Sequence, residues 1–277
     1  MVEIAELEVM NISGEDLNAL KRAVQTLEYP SFATRLTNLV GKPIEMITNM
    51  LPVSASQAIS KATAKALEVA LKIALRTMQS ERQTESPRLH KVLVTASGAA
   101  GGAFGLISLP VELPASTVIM LRAIADIARS EGENLSDPEA ALSCVQVFAL
   151  GGRAGSNDAS ESGYFAVRAL LAKSVTEAAS FIAERGLVGE GAPLLVRFLA
   201  QVASRFGVVV SQKVAVQALP IVGALGGAAV NYAFLEHFRQ TARGHFTVRR
   251  LERRYGKNLV QKEYERLAKK DPGPQKS

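Results

Sequence analysis

The chain has 277 residues, 48 % of them apolar but only 5 % aromatic and none Trp, so it is long enough for a sizeable core built mainly from Ala, Leu, Val and Ile. The single cysteine, Cys144, excludes an intramolecular disulfide framework and a CxxC zinc site, and the acidic start (Glu3, Glu6) does not read as a secretory signal. The net charge of +6 is unevenly spread: Arg239 to Ser277 carries 12 Lys/Arg against 4 Asp/Glu, and the rest carries 20 against 22.

In chain order, Ser13-Gly14-Glu15-Asp16 predicts a capped helix running to about Glu28. Pro30, Gly41, Pro43 and Pro52 then break the chain repeatedly. Ser54 to Met78, with Leu67, Leu71, Ala74, Leu75 and Met78 at helical spacing, predicts a long helix. Ser80 to Pro87 reads as a loop. The 20 residues from Val92 to Val111 carry no charge and are rich in glycine, with Gly98 and Gly102, and Gly101 and Gly105, four apart. Pro110, Glu112 and Pro114 close that segment, and a helix is expected from about Ala115 to Arg129.

Gly132 is a stop signal, and Ser136-Asp137-Pro138-Glu139 opens a helix expected to reach Leu150 and end at Gly151-Gly152. Gly155 to Ser162 is polar, Glu161 to Glu184 reads as helix, and Pro193 marks another start. Val208 to Val216 has strand-like composition but helical flanks, and is read as helix. A second uncharged segment, Val214 to Leu235, spans 22 residues and holds Pro220, Gly223, Gly226 and Gly227. Glu236 to Lys270 is a charged amphipathic helix or helix pair, with a break near Gly256 and a cap at Asn258, and a disordered end follows from Asp271. The sum is an all-α multi-helix bundle with glycine- and alanine-rich central helices.

The two uncharged segments are long enough to cross a bilayer, but proline interrupts both. They read either as buried helices, packed against each other through small residues at four-residue spacing, or as segments that enter or touch a membrane.

Phosphate-loop, dinucleotide-fold, nucleophile-elbow and HExxH motifs are all missing from the sequence. Two polar constellations stand out. Glu112 lies at the edge of an apolar run, and Arg122 and Asp126 are four apart on one helix face. They read as a structural ion pair or as carboxylates whose acidity an apolar setting would shift for general acid work. The second is Asn231, Glu236, His237 and His245. His237 and His245, eight apart, share a helical face and would ligate a metal only with a carboxylate from elsewhere, Glu112 or Asp126. The other reading is a pair of hydrogen-bonded histidines in helix interfaces. In the basic tail, Arg249, Arg250, Arg253, Arg254 and Lys257 are spaced for contact with an anionic surface. No helix-turn-helix reader is recognisable, which argues against nucleic acid as the partner.

Gly105 to Pro114, continuing through Leu121 to Ala128, resembles the central region of the EcsC family. Ala242-Arg243-Gly244-His245-Phe246-Thr247-Val248-Arg249-Arg250-Leu251-Glu252 resembles its C-terminal region, and the glycine-rich stretch from Leu219 to Asn231 fits the family too. The resemblance covers about residues 15 to 270 and implies a single largely helical bacterial domain over 1–277, with 271–277 as a disordered end. It supplies no catalytic residues. The family takes its name from a gene beside an ABC-transporter operon, and this implies membrane-linked work.

The leading expectation is a protein of the cytoplasmic face of the bacterial inner membrane, peripheral or inserted. It would bind anionic lipid, in work linked to transport or the envelope. Two alternatives stand beside it: a hydrolase using Glu112, Asp126 and His237 with or without a metal, and a protein-interaction module whose partner the sequence does not name.

Overall fold

The structure is a computed structural model that describes residues 12–29, 32–78, 109–152, 163–185, 193–219 and 223–270. Those residues form ten helices and no strand: α1 (Gly14–Glu28), α2 (Phe32–Val40), α3 (Ile44–Thr48), α4 (Val53–Met78), α5 (Leu109–Ser130), α6 (Pro138–Leu150), α7 (Tyr164–Arg185), α8 (Pro193–Gln217), α9 (Gly223–Tyr255) and α10 (Lys257–Lys270). The all-α reading holds. The glycine-rich centre around Gly98 to Gly105, His90, the polar stretch 153–162 and the end from Asp271 lie outside the described residues.

The helix starts follow the capping signals closely. Ser13 Oγ accepts from the Asp16 backbone N–H at 3.4 Å, and Asp137 Oδ1 accepts from that of Glu139 at 2.9 Å with Pro138 in the first turn. α6 ends at Leu150, where the Gly151-Gly152 signal put it.

Two expectations need correction, the start of α5 and the cap at Asn258. The breaks at Pro30, Gly41, Pro43 and Pro52 fall between helices, with α2 and α3 between Pro30 and Pro52. α5 begins at Leu109, not Ala115, and carries Pro114 inside it. Pro110 falls in the first turn, where no intrahelical N–H bond is required, and Pro114 forgoes only one bond, back toward Pro110. The uncharged segment Val214 to Leu235 is divided, as its proline suggested, between α8, which ends at Gln217, and α9, which begins at Gly223. Asn258 is not a cap: α10 starts at Lys257, after Gly256, whose φ of 86° is open chiefly to glycine and lets the chain turn out of α9.

α9 is the spine. Its 33 residues span about 50 Å, and it touches α1, α2, α5, α6, α8 and α10, while α4 packs on α5 and α8. The scarce aromatics are concentrated where these helices meet. Phe148, Phe206, Phe234 and Phe238 form one cluster with ring centroids 4.8 to 6.0 Å apart, all fully or almost fully buried. The aliphatic core expected from composition therefore surrounds a phenylalanine centre.

Candidate functional site

Glu112 lies in the first turn of α5, Lys213 near the end of α8 and Asn231 in the third turn of α9. The Lys213 ammonium donates to Glu112 Oε1 at 2.7 Å, and Asn231 Nδ2 donates to the same oxygen at 3.1 Å. Lys213 and Asn231 are fully buried and Glu112 nearly so. Lys213 Nζ also sits 5.0 Å from the Phe234 ring centroid. Burial pushes the Lys213 ammonium below its ordinary acidity range, and the Glu112 carboxylate beside it opposes that. The cluster ties three helices together through one carboxylate.

Arg122 and Asp126 do not join this cluster. Asp126 stands 14 residues along α5 from Glu112, about 21 Å by helical rise, where it pairs with Arg129 at 3.3 Å. Arg122 is exposed.

His237 and His245 also go to separate places, about 12 Å apart along α9. His237 Nε2 donates to the Gly151 carbonyl at 2.9 Å, closing the end of α6 against α9. Burial pushes its pKa down to about 4 despite that hydrogen bond, so the ring is neutral. His245 Nδ1 lies 2.9 Å from the Tyr164 hydroxyl. Arg168 donates to the same hydroxyl oxygen at 3.2 Å, so the hydroxyl is held between the imidazole and the guanidinium. Nε2 is buried without a hydrogen-bond partner among the described residues, and burial, with Arg168 and Arg249 nearby, holds the imidazole neutral.

Arg168 in turn makes a two-pronged pair with Glu252 at 2.8 and 3.0 Å. Glu28 accepts from the Tyr164 backbone at 3.1 Å and from the Tyr264 hydroxyl at 2.8 Å. This network joins α1, α7, α9 and α10. Among the described residues no three of His, Cys, Asp and Glu converge on a possible metal position. Among the described residues Glu112, Asp126 and His237 take different partners: Lys213 and Asn231, Arg129, and the Gly151 carbonyl.

The basic tail departs most from expectation. Four of its arginines pair with carboxylates on other elements. Arg249 pairs with Glu133 at 2.8 and 3.0 Å. Arg250 bridges Glu131 at 2.8 Å and Asp16 at 3.0 Å. Arg253 bonds Glu133 and the Glu131 carbonyl. Arg254 and the Tyr255 hydroxyl reach Asp16 at 2.9 and 2.8 Å. Burial alone would raise the Asp16 carboxyl, but the Tyr255 hydrogen bond and the two guanidiniums hold it below its usual range. Phe246 and Leu251 are fully buried. Of the five residues assigned to anion contact, Arg253, Arg254 and Lys257 are exposed, and Lys257 lies beyond this clamp. Asp16 of α1 and Glu131 and Glu133 of the turn between α5 and α6 thus pair with four of the tail's twelve basic residues.

Lys213 escaped the sequence reading, although a signal was present: it is the one charged residue between Arg205 and Glu236. Tyr164, Arg168 and the turn carboxylates carried no such signal. A cavity of about 230 Å³ opens between α1 and α10, lined by Lys21, Val24, Gln25, Tyr29, Arg266, Leu267 and Lys270. None of the polar candidates above faces it.

Comparison with curated proteins and with solved structures found no match. The model of the EcsC protein family matches residues 15–251. That stretch runs from the first turn of α1 to the arginines that clamp it, and takes in Glu112, Lys213, Asn231, His237 and His245. The chain belongs to the EcsC protein family.

Proposed function

We propose that this protein acts at a membrane surface, lying on the bilayer through apolar helical surface and not through its basic tail. The observation that carries the reading is α8. Pro193–Gln217 is 25 residues long, its most apolar stretch has a mean hydropathy of 1.5, and 28 % of that stretch is buried. Val196 on α8 and Leu170 on α7, which packs against it, are more than half exposed. Apolar helical surface of this kind, left outside a core, favours a lipid interface.

The helix suits lying on a membrane better than crossing one. Phe198, Val202, Phe206 and Val209 are committed to the core, and Arg197, Arg205 and Lys213 interrupt the run, so lipid would meet one side only. The cytoplasmic face of the bacterial inner membrane, a lipid or acyl ligand, and a link to transport or envelope processes enter this reading through the family resemblance. Co-sedimentation of the full chain with lipid vesicles tests it. Recovery with vesicles that persists at high salt is expected, because the attraction is chiefly apolar. Absence of the protein from every vesicle pellet, with or without anionic lipid, would overturn it.

A further inference from the structure

Half of the exposed large apolar side chains among the described residues fall in one short stretch. Leu39, Met46, Met50 and Val53 are 45, 61, 76 and 76 % exposed, and all lie within fifteen residues at the corner where α2, α3 and α4 meet. The corner is not a frayed loop. Ile44 and Ile47 of α3 are buried at 1 and 4 %, and α3 packs against both α2 and α8. A five-residue helix is thus pinned by one stripe of side chains, while Met46, and Met50 four residues on, are held outward. Leaving four large apolar groups in water at one place is unfavourable by burial energetics, and a contiguous patch of this kind marks a contact surface.

Charge selects the occupant. Between residues 32 and 67 the chain has one carboxylate, Glu45, against Arg35, Lys42, Lys61 and Lys65. Arg35 turns to Gln240 at 3.1 Å, and Lys65 pairs with Glu68 at 3.1 Å. Lys42, beside the methionines, and Lys61, two turns along α4 from Val53, are exposed. An apolar tip with ammonium groups set back from it matches an anionic bilayer: methionine chains adapt to irregular lipid packing, and lysine stems lie along apolar surface with the charge at headgroup level.

We propose that the α2–α3–α4 corner is the edge that enters the bilayer, with Met46 and Met50 below the headgroups of an anionic membrane and Lys42 and Lys61 among them. α3 rests on α8, and the seating of the corner presupposes the membrane association proposed above.

The absence of Trp from the chain provides a direct test in the full-length protein. Met50→Trp places one indole at the corner, and Leu170→Trp places one on α7 as a comparison. With vesicles of phosphatidylcholine and phosphatidylglycerol, the Met50→Trp emission is expected to shift to the blue and to be quenched by brominated acyl chains. The double variant Met46→Asp/Met50→Asp, whose side chains are already in solvent and whose fold circular dichroism verifies, is expected to bind about tenfold or more weakly. Lys42→Glu/Lys61→Glu is expected to lose its preference for phosphatidylglycerol over phosphatidylcholine alone. If the protein pellets with vesicles while the Met50→Trp indole stays unquenched, or if Met46→Asp/Met50→Asp binds as well as wild type, the corner is overturned and the membrane association stands. If neither pelleting nor quenching occurs, both fall. Concentration-dependent light scattering that the aspartates abolish, with no vesicle binding, would assign the patch to a second copy of the chain instead.

Discussion

The Lys213 ammonium meets Glu112 Oε1 at 2.7 Å although the two residues are 101 positions apart in the chain. The pair closes α8 onto α5 in a setting where both charges have lost their water. Removing one partner strands the other. Lys213→Met is expected to destabilise the protein by about 3–5 kcal/mol. Adding Glu112→Gln to it is expected to recover a large part of that loss, since a neutral amide replaces the stranded charge. Urea unfolding of the two single variants and the double variant reads the coupling. Equal, additive losses would show that the pair is not an interacting unit.

Two buried neutral histidines predict acid sensitivity. An unfolded histidine titrates near pH 6.5, whereas folded His237 titrates at about 4 and His245 also lies well below the ordinary value. In that window the unfolded chain binds more protons, so stability is full above about pH 6.5 and is lost as pH falls. For His237 the loss reaches roughly 3 kcal/mol by pH 4. Thermal midpoints from pH 8 to pH 4 should fall, and less steeply in His237→Gln, whose amide still donates to the Gly151 carbonyl. Asp16 and Glu133, held below the usual carboxylate range, contribute stability above their unfolded pKa values and add to the loss only in stronger acid.

The arginine clamp predicts that the tail is not dispensable. Asp16→Ala removes the acceptor of Arg250, Arg254 and Tyr255. It is expected to lower stability by about 1–3 kcal/mol, with a smaller effect at high salt. Truncation after Phe238 also deletes Phe246, Leu251, Val260 and Tyr264 from the core, so loss of the cooperative melt is expected. A truncated chain that melts like the full one would refute the clamp.

Small-residue packing gives a paired test. A Cβ on Gly152 would stand 2.1 Å from the Arg205 carbonyl oxygen, a backbone atom that cannot swing aside. Gly152→Ala is expected to cost about 1–3 kcal/mol or more. Gly207, inside α8, has nothing within 4 Å of its Cβ position, so Gly207→Ala is expected to gain about 0.5–1 kcal/mol. Differential scanning calorimetry of the two variants should give shifts of opposite sign.

Local chemistry was legible in the sequence and long-range pairing was not. Ser13, Asp137, Pro138, Gly151 and Pro193 mark helix ends through side-chain and backbone preferences that act over three or four residues. The same logic explains the misses: Pro110 and Pro114 read as breakers because their position within the first turns of α5 was not apparent. Glu112, Asp126, His237 and His245 proved to be buried or paired groups, but nothing in the spacing of Glu112, Asp126 and His237 tells which of them meet. The tail is the clearest case. Arg249, Arg250, Arg253 and Arg254 look alike as a charged helical face whether their counterions are lipid phosphates or Glu131, Glu133 and Asp16. The partners lie on elements more than a hundred residues away.

That clamp also sets an order of events at the ribosome. Asp16 finds Arg254 only 238 residues later, which at about 5–20 residues per second is roughly 12–48 s of synthesis. During that interval the buried face of α1, with Leu20, Val24 and Leu27, is made but has no spine to rest on. The fold is sealed at its two ends together, and a nascent chain stalled before α9 emerges would present an open helical face to chaperones and proteases.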